Sequence, residues 1–337
     1  MWQDWQSLAI SVAKLLDACP AFVGVAVTMT GELADCFTTR AEGVAVILEQ
    51  LTSILPASMV RIYCVDGTWK TVSQSARDPW SVAASNWHGL ARFAIRFVGG
   101  KSCLLFDTGS TTTDLIPIGD SRILTDARTD SQRLQTGALV YTGIERSNVA
   151  GIVSEVSLYD SSCPVMNEQF ATMRDVYLWL RELEDDPASR DTADGKPATR
   201  EAARYRLARI VGEDGSTLAD TDIDRMAEQI AAAQTKLVAK AFTKVAASCS
   251  KKTSSTKKKQ PTARAVTTLE SSSHAFECVA ISGHGDFLIE AALAQCGWDG
   301  ERIRLKELLG DNLSRCAPAY AIATLASEEL GEQMQYG

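Results

Sequence analysis

The chain has 337 residues, 45% of them hydrophobic and 23% charged, with a formal net charge of −8. That is enough material for one large domain or two around a real core, in the proportions of a globular protein. The acidic balance argues against a nucleic-acid or anionic-membrane binder, no apolar run reaches the eighteen or so residues that cross a bilayer, and the start lacks the order of a secretory signal.

In chain order, apolar positions at helical spacing (Trp5, Leu8, Val12, Leu15, Leu16) predict a helix over 2–17, and the run from Ala21 to Thr28 predicts a strand. Thr39-Arg40-Ala41-Glu42 has the form of a capping box opening a helix that reaches about Ile54. A strand over 61–65 ends at the turn Asp66-Gly67, and a helix is predicted over 81–97. Residues 103–118 then give two apolar runs around Asp107-Thr108-Gly109-Ser110-Thr111-Thr112-Thr113-Asp114, the pattern of a buried hairpin. Short strands are expected over 137–160, a helix over 165–183, an acidic surface loop over 183–199 and a long helical region over 199–248. The lysine-rich stretch from Lys251 to Pro261 cannot form a core and reads as part of a disordered basic insert at about 249–272, a solvated loop before a phosphate-polymer site. A strand over 276–281, the turn Ser282-Gly283-His284-Gly285-Asp286, a helix from about 287 and a last helix over 317–332 complete the chain. The order suggests a three-layer α/β architecture.

The hairpin turn carries most of the chemistry. Gly109 permits close backbone approach, tight-turn N–H groups form an anion-binding concavity, and Ser110, Thr111, Thr112 and Thr113 add small donors, with Thr108 also in the phosphate-binding set. Asp107 and Asp114 are placed to hold Mg²⁺, directly or through water. The competing reading is a hydroxyl-rich turn capped by the two carboxylates. Gly283 and Gly285 likewise allow a ligand to approach at a helix N-terminus, or they mark a plain strand–helix turn with His284 exposed. The nine scattered cysteines, never spaced C-x-x-C, point to a reducing cytoplasm without a disulfide framework or zinc site. The widely separated His88, His274 and His284 do not suggest a His-based metal centre.

The Asp-x-Gly-Ser-Thr-x-Thr-Asp pattern resembles the second phosphate motif of the acetate kinase, sugar kinase and actin superfamily, and the chain is most similar to its hydantoinase/oxoprolinase-like branch. Blocks at Thr28–Phe37, Ala84–His88, Gly137–Gly143, Phe170–Asp175, Thr192–Pro197, Ser282–Asp286 and Ala317–Ala321 resemble the subgroup that makes furan-containing one-carbon carriers of the methanofuran type, linked to tetrahydromethanopterin. The resemblance covers about residues 5–330. It implies an α/β, two-domain actin-like (ribonuclease H-like) architecture with mixed sheets, residues 1–98 forming the remainder of a first domain and 99–337 a second one carrying the hairpin. The superfamily's first phosphate motif has no counterpart upstream of Ala21, so the first domain is expected to be N-terminally truncated, with an exposed strand edge and doubtful activity. Ser147-Asn148 stands where the resemblance leads one to expect Thr-Pro.

The implied reaction joins an aminomethylfuran diphosphate to the phenol of tyramine or γ-glutamyltyramine with release of diphosphate. Mg²⁺ would be the cofactor; ATP is compatible but not required. Asp107, with Glu32 or Asp35 as base or orienting group, forms the catalytic set. Glu32 and Asp35 are expected to project together from a first helical turn, the alternative being that they cap it. Thr30, Asn86, Trp87, Arg146, Gly283, His284, Gly285 and Asp286 form the substrate-binding set. For Trp87 a core position competes. Arg133 and Arg146 are phosphate candidates, with an ordinary surface arginine as the alternative. Partners are small-molecule substrates, neither nucleic acid nor membrane, with room for a homo-oligomer. Competing functions are an ATP-dependent amidohydrolase, a small-molecule kinase of the same fold, or a non-catalytic relative.

Overall fold

A computed structural model describes residues 5–256 and 275–335. Its strands are β1 (Val25–Val27), β2 (Val60–Tyr63), β3 (Trp69–Lys70), β4 (Cys103–Thr108), β5 (Thr113–Gly119), β6 (Arg122–Ile123), β7 (Leu139–Val140), β8 (Glu155–Leu158), β9 (Ser161–Pro164), β10 (Cys278–Gly283) and β11 (Glu301–Arg304). The chain forms two compact units. One holds the residues up to Lys101, Ile118–Gln132 and the chain from Leu305 onward; the other holds Ser102–Pro117 and Arg133–Arg304. The linear division at 98/99 puts 99–101, 118–132 and 305–337 with the second domain, whereas the compact units group them with the first.

In the first unit β1 runs parallel to β2, with Val25 opposite Val60, and β3 pairs antiparallel to β2. The helix Arg40–Thr52 starts where the sequence indicates, because the Thr39 hydroxyl accepts from Glu42 N, a cap worth about 1 kcal/mol. Glu42 reaches back to the N–H of Thr38 rather than of Thr39, at 2.7 Å. The helix lays Val44, Ile47, Leu48 and Leu51 against Val60 and Ile62 of β2. A second core forms where the helices Asn86–Val98 and Ala317–Gln335 meet so closely that a Cβ on Gly89 would lie 2.3 Å from Ile322. Ion pairs Arg92–Glu329 (2.6 Å) and Arg96–Glu328 (2.8 Å) line that seam.

In the second unit β10 lies between β11 and β4, parallel to both. Register runs from Cys278 opposite Cys103 to Gly283 opposite Thr108. β4 and β5 form the predicted hairpin, β5 is buried along its whole length, and β7 pairs with β5. Leu104, Phe106, Leu115, Val279, Ile281, Ile289 and Phe242 belong to one continuous core.

Several predicted elements are cut shorter. The strand at 21–28 is ordered as a ladder only over Val25–Val27. The helix at 81–97 breaks into Pro79–Val82 and Asn86–Val98, because Ala84 takes a left-handed conformation (φ 48°). The helix at 165–183 contracts to Met173–Trp179: Thr172 caps its start, with Asp175 accepting from Thr172 N, and Arg181 (φ 65°) lies just past its end. The long region from 199 divides at Gly212 (φ 79°) into Arg200–Arg209 and Asp220–Thr256. The latter helix takes in the first part of the expected basic insert; residues 257–272 lie outside the described residues. β11 was not predicted. No helix among the described residues is long and apolar enough to cross a membrane.

Candidate phosphate site

The second unit gathers the phosphate-motif residues around the tip of the β4–β5 hairpin. Gly109 N donates to Thr112 O at 3.0 Å, closing a tight turn. The N–H groups of Ser110 and Thr111 at its tip meet no acceptor among the described residues. The turn is held from outside by the loop 142–147. Ile144 N donates to Gly109 O (3.1 Å), and Glu145 N and Arg146 N both donate to Ser110 O (3.0 and 2.8 Å). Only glycine fits at 143, since a Cβ there would come within 2.5 Å of Gly109 O and Thr111 N. Ser147, in place of the expected threonine, donates to Gly143 O while its hydroxyl oxygen accepts from Gly143 N and from the Thr142 hydroxyl. Asn148, in place of proline, accepts from Ala150 N. Gln234, from the helix Asp220–Thr256, donates to the Thr142 hydroxyl (2.7 Å) and to Gly143 O (2.8 Å), and accepts from the Tyr177 hydroxyl.

The turn after β10 closes the other side. Gly283 has φ 86°, and a Cβ there would lie 2.1 Å from Thr108 O; one on Gly285 would lie 2.4 Å from Thr108 Cγ2. His284 N donates to Thr108 O at 3.1 Å. The helix Asp286–Gln295 begins immediately afterwards, with no side chain capping it from Gly285. Asp286 accepts from the adjacent Phe287 N, at 3.1 Å. The sequence-predicted residues 107–112 and 283–286 are thus brought together through direct contacts at Thr108.

Asp107 lies one residue before the end of β4, opposite Ser282. Burial raises its carboxyl above the usual range, opposed by the Ser282 hydroxyl dipole, His284 and Arg133. The Thr108 hydroxyl is buried and meets no hydrogen-bond partner among the described residues, while the Ser282 hydroxyl faces Asp107. Asp114 takes a different role from the one expected of a metal ligand: its carboxylate is buried in an ion pair with Arg133, itself only 3% exposed. Arg133 is therefore a core residue, which its sequence context did not indicate. Among the described residues no group of three His, Cys, Asp or Glu side chains is clustered to hold a metal. Arg146 is exposed, and its backbone N–H is what meets the turn.

Sequence reasoning missed a charged relay beside the turn. Glu145 Oε1 lies 3.0 Å from His284 Nε2, and Arg174 pairs with Glu145 Oε2. Burial works against the Glu145 charge, but His284 and Arg174 overcome it and hold the carboxyl down at about 2. Arg174 also donates to Ser189 Oγ and Asp191 O (both 3.1 Å), tying down the acidic loop. These partners are 29 and 139 residues from Glu145 in sequence; the only local signal was their concentration of charge next to glycine-rich turns.

The remaining predicted residues lie in the first unit. Glu32 and Asp35 do not project together from a helix: 31–38 is a chain of turns, in which Glu32 is 1% exposed and Asp35 is exposed. Glu32 packs over Gly43, where a Cβ would meet its carbonyl at 2.1 Å. Burial raises its carboxyl, with Arg40 3.9 Å away opposing, and Oε2 meets no partner among the described residues. Thr30 is exposed and Asn86 half-buried at a helix start. Trp87 is 1% exposed and edge-on to His88.

A Hydantoinase/oxoprolinase sequence model matches residues 24–329. The chain belongs to the hydantoinase/oxoprolinase family, consistent with its mixed α/β sheets. It is 28% identical, over 91% of its length and 83% of the relative's, to a Methanocaldococcus jannaschii protein named (4-{4-[2-(gamma-L-glutamylamino)ethyl]phenoxymethyl}furan-2-yl)methanamine synthase. A Methanococcus vannielii protein of the same name is 27% identical over 69% of this chain and 95% of its own.

Proposed function

We propose that this protein is an enzyme of methanofuran-type carrier assembly that forms an aryl ether. An aminomethylfuran with a diphosphate on its exocyclic CH₂ meets the phenol of tyramine or γ-glutamyltyramine. The phenol oxygen loses its proton and bonds to that CH₂ while the CH₂–O bond to diphosphate breaks and diphosphate departs. The observation that carries this reading is the hairpin tip: two backbone donors without an acceptor among the described residues, backed by the buried Thr108 hydroxyl and fixed on both sides by glycine contacts. Such a preorganised donor set stabilises charge that grows on a leaving group. The relatives' printed name supports it, since phenoxymethyl-furan is the ether this step would make.

The oxygen donors at Asp107, Thr108 and Ser282 fit Mg²⁺, which takes few protein carboxylates and completes its shell with water and phosphate oxygens. Asp107 would hold it, Asp114 being committed to Arg133. When bound, the ion would neutralise charge on the diphosphate. Asp107 orients that end of the site, while the Ser110 and Thr111 N–H groups bind phosphate oxygens. The phenol proton passes to a general base or to solvent water.

The test supplies aminomethylfuran diphosphate, γ-glutamyltyramine and Mg²⁺ without ATP and follows diphosphate and the ether mass. Both should appear in equal amounts. Family membership favours one second reading, ATP-dependent amide hydrolysis; ADP formation with an amide substrate and no ether would establish it instead.

A further inference from the structure

A chain of buried hydrogen bonds runs behind the hairpin turn and ends at the loop that clamps it. Gly143 O can only accept, so the end of the Gln234 amide that faces it, 2.8 Å away, is the NH₂ group. The amide oxygen is thereby turned to Tyr177, whose hydroxyl donates to it. The same NH₂ donates to the Thr142 hydroxyl at 2.7 Å, Thr142 donates to Ser147 Oγ at 3.0 Å, and Ser147 donates to Gly143 O at 3.3 Å. From Tyr177 to Gly143 O each group donates to the next, an order in which every bond polarises its neighbour. Tyr177, Thr142 and Gln234 are all buried, and Thr113 adds a bond from its hydroxyl to Thr142 O at 2.9 Å.

Peptide geometry carries the effect of the loop to the turn. In a trans peptide the C=O of one residue and the N–H of the next point in opposite directions. Ile144 N holds Gly109 O, and Glu145 N and Arg146 N together hold Ser110 O. The N–H groups of Ser110 and Thr111 are therefore turned away from those donors, and neither meets an acceptor among the described residues. Two donors on Ser110 O also polarise its peptide, which makes Thr111 N–H a stronger donor.

We propose that Gln234 is a positioning residue, oriented by Tyr177, that holds the 142–147 loop so that the Ser110 and Thr111 N–H groups are aimed at phosphate oxygens of the ligand. Gln234 acts through the loop, without touching the ligand. This inference rests on the cradle reading given above and needs no assumption about the organic part of the substrate.

The test uses the full chain, inorganic diphosphate and Mg²⁺, with binding followed by calorimetry and the Ser110 and Thr111 N–H groups by ¹⁵N amide spectra. Diphosphate should bind wild-type protein and move both amide signals. Gln234→Met, which keeps the length of the side chain but makes none of its hydrogen bonds, should weaken binding about tenfold, as should Tyr177→Phe. Both variants should displace the two amide signals already in the free protein. Because Tyr177 acts through Gln234, the double variant should lose no more than Gln234→Met alone. Val238→Ala, one turn further along the same helix, opens a core cavity and should lower the unfolding midpoint while leaving affinity and both signals unchanged. If Gln234→Met and Tyr177→Phe bind diphosphate as wild type does, or if Val238→Ala weakens binding as much as they do, Gln234 only stabilises its unit and the positioning role is wrong while the cradle stands. If wild-type protein does not bind diphosphate at all, the cradle reading falls and takes this inference with it.

Discussion

Replacing Gly143 by alanine puts the cradle under direct steric load. The new methyl would lie 2.5 Å from Gly109 O and from Thr111 N and 2.6 Å from the Ser110 carbonyl carbon, all of them backbone atoms. Carbon contacts become comfortable at about 3.5–4.0 Å, so turn and loop must separate by roughly 1 Å. Overpacking of this kind costs about 1–3 kcal/mol. The separation also stretches the bonds from Ile144 N, Glu145 N and Arg146 N to the turn, and Gln234 to Gly143 O, each worth about 1 kcal/mol. A loss near 3 kcal/mol is expected, which for a unit of this size lowers the midpoint by roughly 6–12 °C. Calorimetry of Gly143→Ala beside Gly109→Ala gives the comparison, because a Cβ on Gly109 meets nothing within 4 Å. Equal midpoints for the two variants would refute the claim that the 142–147 loop clamps the turn.

Asp107→Asn should abolish Mg²⁺-dependent diphosphate binding without lowering the unfolding midpoint, since burial already disfavours that charge; a large fall in midpoint would mark Asp107 as structural. Arg206 is fully buried and pairs with Asp175 at 2.6 Å and Asp194 at 3.1 Å, so Arg206→Ala should cost about 3–5 kcal/mol by stranding Asp175, measured by urea unfolding. His88 is buried against the Tyr63 hydroxyl at 3.0 Å, and burial, then Arg128 and Arg92, depress its pKa to about 4. Because the unfolded histidine takes a proton near pH 6.5 and the folded one only near 4, stability should fall as pH drops from about 6.5 towards 4. His88→Gln should flatten that slope, and an unchanged slope in calorimetric scans would exclude His88 as its source.

The hairpin was legible because apolar runs, a glycine and hydroxyls report local geometry, and the Thr39 cap because it is a four-residue interaction. Breaks were harder. Ala84 interrupts a helix with no glycine or proline to announce it, and Gly212 and Gly215 stand at a division inside what reads as one long helical region. The helix expected at 165–183 failed since apolar residues such as Phe170 serve the core from non-helical backbone. The sequence pattern at Asp114 matched a metal ligand, but the competing partner, Arg133, emerges only when the chain folds back on β5. Glu145 and Arg174, and their pairing with His284, were beyond local reading for the same reason. Glu32 and Asp35 share a spacing that means something only on a helix, and the chain there makes successive turns.

The parallel register of β4 and β10 also imposes an order on biosynthesis. Ser102, just before β4, donates to a Glu277 side chain 175 residues later, so one wall of the cradle is delivered long after the hairpin. At about 5–20 residues per second, the ribosome takes roughly ten to thirty-five seconds to provide it. During that interval the edge of β4, bearing Cys103, Leu104, Leu105 and Phe106, waits without its β10 neighbour, and an open apolar edge of that kind recruits other chains. Slow closure over so long a loop makes the yield of folded protein, rather than its final stability, the property most exposed to substitutions in β10.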